Sequence, residues 1–389
     1  MPAPRARPPT LYLTLQTEYS GAEITHVPLM RADPDALLVC PPGSRTEELA
    51  RAAGIATAPL AFRRLRRSGG TGEAIGSIFR GVASARDLRR LLRAHPERRV
   101  LYAVSVRPGL VAALAKPGLR RRAVWFVADF LPPPPLRGLI RALARTGCDR
   151  AVATSEAVAR DFAGRSRRLA RRTSVVYPGV ELERYDPARA SPGAPRAAVV
   201  GYLSAVKRTD LALEVARRVS AAEPGFELEV VGRAQYTDAD FAYERELHER
   251  VEGDEELRRC VRFTGYEADV PGRLARLGVL LHCRPDEPFG IVLAEAMAAG
   301  VPVVAPDAAG PREIVEDGTT GLLYAPGDAE HAAELVLRLI RAPDEARRLA
   351  AAARAEVERR FTVAGQLAGL GAVLRELDGS TSTSADSAR

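Results

Sequence analysis

The chain has 389 residues, 46% of them hydrophobic and 27% charged, and a formal net charge of +8. A chain of that length exceeds what one ordinary core organises, so two domains of similar size are predicted, and the composition is that of a folded soluble protein. Cys40, Cys148, Cys260 and Cys283 form no CxxC, and His26, His95, His248, His282 and His331 form no ligand-spaced cluster, so neither a disulfide framework nor a metal enzyme is expected.

The start MPAPRARPPT leads into a short strand rather than a signal-peptide core, and no apolar run reaches the roughly 18 to 20 residues of a membrane helix, so the cytoplasm is the expected compartment. TLYLTLQ (10–16), DALLVC (35–40), RRVLYAVS (98–105), AVWFVAD (123–129), DRAVATS (149–155) and TSVVYPG (173–179) read as strands. ERYDPARASPGAPR (183–196) then reads as a linker. A second series follows in AAVVGYL (197–203), FELEVVG (226–232), VRFTGY (261–266), VLLHC (279–283), VPVVAP (301–306) and GLLYAP (321–326). Amphipathic helical stretches alternate with these strands, which predicts two doubly wound α/β domains, 1–187 and 188–359. A last helix over 360–377 is expected to pack back on the first domain, and the polar tail 378–389 to be disordered. In such folds ligands bind beyond the carboxyl ends of the strands, which makes the cleft between the domains the expected site.

Charge divides unevenly: about 33 basic and 16 acidic side chains in the first 190 residues, against about 24 and 33 in the rest. Nearly all the basic residues are arginine, with Lys116 and Lys207 the two lysines, a bias that points first to codon usage. RRLRRS (63–68), RDLRRLLRAHPERR (86–99) and LRRRA (119–123) are therefore read either as a solvated basic face or as attraction to an anionic acceptor or membrane surface. No aromatics interleave them, which argues against nucleic acid.

The segment EPFGIVLAEAMAAG (287–300) carries two acids in an apolar setting. Glu287 falls in a loop past a strand's carboxyl end and Glu295 about one and a half turns into the following helix. Ile291, Val292, Ala298 and Ala299, three and four positions from Glu295, supply no ion-pair partner. A buried carboxylate needs donors, and vicinal sugar hydroxyls provide them. Free N–H groups from Gly290 to Val292 at the helix start suit a phosphate. Lys207, a lysine in an arginine-rich chain just past a strand, suits one too.

The block 287–328 closely resembles the signature of the family 4 glycosyltransferases, whose two acids flank seven residues and are followed by GVPVV and DGTTGLL elements. VATSEAVARDF (152–162), YPGVELERYDP (177–187) and VVGYLSAVKRTDLALEVA (199–216) extend the resemblance, and YSGAE (19–23) is similar to the family's N-terminal glycine loop. The resemblance implies a glycosyltransferase B fold and retaining, metal-independent transfer from a nucleotide-diphosphate sugar, without a cofactor. It implies that Glu295 holds the donor ribose and Glu287 the transferred sugar. Phe289, Gly290, Ile291 and Val292 would line sugar and diphosphate, Lys207 would neutralise the diphosphate, and Gly21 would allow close backbone approach. Two positions depart from the family. Tyr202 stands where an arginine is usual, so either Arg208 substitutes or the diphosphate is held with less charge. Phe126 and Ala128 flank the place of a usual histidine, for which His26 and Asp129 are candidate replacements. An epimerase or phosphorylase on the same fold, or a silent nucleotide-sugar-binding protein, are the alternative readings; the acceptor is not identified.

Overall fold

The computed structural model describes residues 8–16, 26–60 and 71–377, without the side chains of 71–80. The chain divides into two units, one formed by residues up to Tyr177 together with Ala364 onward, the other by Pro178–Val363.

Among the described residues, the first unit holds seven parallel strands: β1 (Thr10–Leu13), β2 (Leu37–Cys40), β3 (Ala56–Pro59), β4 (Val100–Ala103), β5 (Arg122–Val127), β6 (Arg150–Ala153) and β7 (Thr173–Val175), in the order β3-β2-β1-β4-β5-β6-β7. Side chains alternate between its two faces, as a period of two requires. Tyr12, Leu38, Tyr102, Val124 and Phe126 enter one core, and Leu370, Val373 and Leu374 of the helix Val363–Leu377 pack with them. Leu11, Leu13, Val39 and Leu101 enter a core on the other face, and Trp125, Val127 and Ala151 a third cluster with helix residues Ile140 and Phe162. Both faces are thus covered, which is why these strands read as unbroken apolar runs. β3 has no such run. It is one of the sheet's two edge strands, its sequence ATAP is largely exposed, and the proline fits an edge that does not pair further.

Close packing of two helices on this unit depends on Gly147, at the end of the helix Leu136–Gly147. A Cβ there would lie 2.3 Å from Ala113 Cβ and 2.8 Å from Ala113 Cα, in the neighbouring helix Val106–Ala115. Gly147→Ala is expected to destabilise the protein by about 1–3 kcal/mol through overpacking. An unchanged thermal midpoint in the variant would show that the helices have room to spare.

The second unit has six parallel strands: β8 (Arg196–Val200), β9 (Glu227–Val231), β10 (Val261–Gly265), β11 (Val279–Leu281), β12 (Val303–Pro306) and β13 (Leu322–Tyr324), in the order β10-β9-β8-β11-β12-β13. The winding direction reverses between β8 and β11, which pair directly. Loops leaving the carboxyl ends of two strands at such a reversal diverge and leave a crevice between them.

The expected boundary at 187/188 falls inside this second unit. Residues 183–196 have a linker's composition, yet Tyr185 is only 5% exposed and Arg354 Nη1 donates to its carbonyl oxygen at 3.1 Å. The segment is anchored by packing and hydrogen bonding that its proline and alanine content does not reveal. The tail 378–389 lies outside the described residues.

Candidate functional site

Strand β8 ends at Val200, and the chain returns through a short 3-10 turn, Ala205–Lys207, into the helix Thr209–Ala222. Strand β11 ends at Leu281 and leads into the loop that carries Glu287. These are the two strands at the reversal, and their loops meet. Lys207 Nζ donates to Glu287 Oε2 at 2.7 Å. His282 Nε2 lies 3.4 Å from the same oxygen, and Arg284 Nη1 lies 3.8 Å from Glu287 Oε1. His282 Nε2 is buried, and its 3.4 Å approach to Glu287 Oε2 falls short of a well-formed hydrogen bond.

Glu287 is 7% exposed. Burial by itself raises a carboxyl's pKa, but His282 and the charges of Lys207 and Arg284 outweigh it and hold Glu287 well below the usual carboxylate range. For His282 the balance runs the other way: burial lowers its pKa against the pull of Glu287, which favours the neutral imidazole. The Glu287 carbonyl accepts from Gly310 N–H at 3.0 Å, fixing the loop's backbone as well as its side chain.

Gly290, at φ 98°, turns the chain into the helix Ile291–Ala298. That left-handed conformation suits glycine, and the helix start leaves first-turn N–H groups without intrahelical acceptors. Ile291 and Val292 are half-buried there. Phe289 is 4% exposed and meets Phe361 edge-on at 5.6 Å, so its ring packs largely into the core beside the helix start. Glu295 is half-buried, and its partners come from outside its helix. Burial raises its pKa, opposed by the Tyr185 hydroxyl and by Arg184. Burial, and then the same contact with Glu295, push the Tyr185 phenol up. Partners at 184 and 185, more than a hundred residues away in sequence, are beyond the reach of helical spacing.

Tyr202 meets Tyr236 edge-on at 5.1 Å and presents its ring to Lys207, whose Nζ is 5.4 Å from the ring centroid. The position where a second cation is expected therefore holds an aromatic face against the lysine. Arg208 has φ 57° and directs Nε at both oxygens of Asp210, each at 3.2 Å. It is committed to an acid on its own helix.

In the first unit, His26 is fully buried, with Nε2 2.9 Å from the Tyr102 hydroxyl and its ring edge-on to Phe126 at 4.2 Å. The expectation that it touches sugar or acceptor is corrected: the aromatic core around it encloses the imidazole. Asp129 is exposed just past the end of β5 and accepts from Phe130 N–H at 2.8 Å. Gly21 and the rest of YSGAE lie outside the described residues. No group of three or more potential metal-ligating residues occurs among the described residues.

Two doubly wound units, one with an acid–base cluster at its winding reversal, define a protein of the glycosyltransferase B fold. The chain belongs to the family 4 glycosyltransferases: the family described as Glycosyltransferase Family 4 matches residues 29–184, and Glycosyl transferases group 1 matches 185–356. It is 29% identical over 232 residues to a D-inositol 3-phosphate glycosyltransferase of Mycolicibacterium paratuberculosis, covering 54% of this chain and 49% of that one. Over 120 residues it is 39% identical to a phosphatidyl-myo-inositol mannosyltransferase of Mycobacterium leprae, covering 28% and 32%. The chain thus spans about half the length, or less, of these curated relatives. Among solved structures, Anabaena HepE in complex with UDP has a TM-score of 0.80 at 24% identity, covering 94% of this chain and 99% of that one. The sucrose-phosphate synthase of Thermosynechococcus elongatus has a TM-score of 0.77 at 19% identity, covering 96% and 100%. No helix among the described residues is long and apolar enough to cross a membrane.

Proposed function

We propose that this protein transfers a glycosyl group, with retention of configuration, from a nucleotide-diphosphate sugar to an acceptor. The observation that carries the reading is the Lys207–Glu287 pair, nine-tenths buried on the acid's side, next to a helix start and eight residues from Glu295. Lys207 and the N–H groups of that helix start stabilise the departing diphosphate, whose own oxygen takes the proton of the incoming hydroxyl on the same face of the sugar. No side-chain nucleophile is required. Glu287 accepts hydrogen bonds from hydroxyls of the transferred sugar, and Glu295 from those of the ribose. Solved relatives carrying UDP or UDP-glucose, and a curated relative named for GDP-mannose, make uridine and guanosine nucleotides the first donors to try. The basic residues of the first unit suit an anionic acceptor or peripheral contact with an anionic membrane.

Calorimetry with nucleotide sugars, followed by nucleotide-release assays with candidate acceptors, tests the reading. Tight donor binding with no turnover, slow hydrolysis included, would favour a silent nucleotide-sugar-binding protein. Consumption of donor without any acceptor would favour an epimerase. For the ribose contact, Glu295→Ala is expected to weaken UDP or GDP binding about tenfold or more, the scale of a charge-assisted hydrogen bond. Removing the ribose hydroxyls from the ligand should then cost little further affinity. Equal losses from the deoxy ligand in wild type and variant would place the ribose elsewhere.

A further inference from the structure

Without a ligand, Lys207 is spent on Glu287. If Lys207 neutralises a diphosphate, it must leave a carboxylate that is 7% exposed, and a buried charge stripped of its partner is costly. The loop after β11 holds a second cation against that same carboxylate. Arg284 is itself 8% exposed, with Nη1 3.8 Å from Glu287 Oε1, the oxygen that Lys207 does not use. Among its described contacts, its Nε donates to Asp286 at 3.1 Å, an acid whose side chain is 65% exposed and whose charge is therefore weakened as a competitor. Among the described residues, the remaining groups facing Glu287 are His282, favoured neutral, and the Gly310 N–H on the main-chain carbonyl.

We propose that Arg284 is a positioning residue that holds Glu287 ionised and in place while Lys207 changes partner, from the carboxylate in the free protein to a diphosphate in the loaded one. This rests on the donor reading above. Arg284 acts through Glu287 and does not contact the phosphates. The cluster then carries enough positive charge for two successive partners of Lys207, which Tyr202, an uncharged ring beside it, cannot supply. Arg284 lies outside the two acids and the lysine that mark the site in sequence. It is recognisable only because the fold brings residues 207, 284 and 287 together.

The test uses the two lysines of the chain. In the full protein labelled at lysine, two ammonium signals are expected by NMR, with Lys207 assigned by its loss in Lys207→Arg. UDP, GDP and inorganic pyrophosphate are titrated into wild type, Arg284→Met, Glu287→Gln and the double variant. The Lys207 signal should move on binding while Lys116 stays. Arg284→Met should weaken binding about tenfold, because Glu287 then competes harder for Lys207, within the usual range of coupling between neighbouring charges. In the Glu287→Gln background, Arg284→Met should have no effect, and Arg284→Lys should bind within a few-fold of wild type, which separates the role of charge from misfolding. Equal weakening in both backgrounds overturns the proposal, since Arg284 would then touch the phosphate or merely support the fold. Nucleotide binding with an unmoved Lys207 signal also overturns it, while sparing the donor reading. Lys207 release by pyrophosphate, lost in Arg284→Met and restored by Glu287→Gln, supports the exchange even if no nucleotide binds, in which case the donor reading alone fails.

Discussion

Lys207→Ala is expected to weaken UDP or GDP binding about 10- to 100-fold, the range set by removing a charged hydrogen-bond donor from an anion, and to leave the free nucleosides unaffected. The direction follows from geometry: Lys207 is the cation on the loop after β8, facing the loop after β11 across the winding reversal. Arg208 is held by Asp210 and Tyr202 carries no charge, so neither replaces it. The same substitution strips Glu287 of its shortest contact. Breaking a buried pair on one side costs about 3–5 kcal/mol, and Arg284 should hold the loss below that range. The pH dependence has a definite sign. Glu287 titrates below its ordinary value of 4.5 in the folded protein, so its pairing stabilises the fold above that pH and the contribution disappears as pH falls through the depressed pKa. The stability gap between wild type and Lys207→Ala should therefore be full above about pH 4.5 and narrow towards more acid solution. Urea denaturation across that range measures it. A gap independent of pH would mean that the ion pair contributes nothing to stability.

The parts of this arrangement readable from sequence are those governed by short-range periodicity. Most of the other twelve strands carry apolar runs that a parallel sheet buries on its covered faces, whereas β3 is obscure because its short ATAP sequence lies largely exposed at one sheet edge. Glu287 and Glu295 stand out because helical spacing gives them no partner. What spacing cannot show is which distant residue fills that place: Tyr185 and Arg184 at Glu295 lie in a stretch whose composition is that of a linker. Arg284 is hidden for a different reason, since an arginine in so arginine-rich a chain carries no signal until its burial is known. His26 errs in the opposite sense. Its residue type suggests chemistry, but its ring packs among Tyr102 and Phe126 as an aromatic core member.

Gly310→Ala should reduce turnover more than any comparably small change outside the charged cluster. A Cβ at this position would sit 2.5 Å from Phe289 O, 2.6 Å from Phe289 Cα and 2.8 Å from Glu287 O. All three are backbone atoms, so no side-chain rotation relieves the clash, and the loop carrying Glu287 must move. The Gly310 N–H that donates to Glu287 O at 3.0 Å would be displaced with it. Overpacking of this kind costs about 1–3 kcal/mol of stability. A misplacement of a catalytic loop by about 1 Å can cost as much as about 100-fold in rate. The neighbouring residue provides the contrast. Ala309 has φ 45°, a left-handed conformation that disfavours a side chain, so Ala309→Gly relieves strain while adding freedom to the unfolded chain and should be near neutral. Nucleotide release from whichever of UDP-glucose or GDP-mannose the wild-type protein consumes gives the comparison. If Gly310→Ala kept wild-type turnover, the position of the Glu287 loop would not control the reaction, and Glu287 would have to be dropped from the reacting groups.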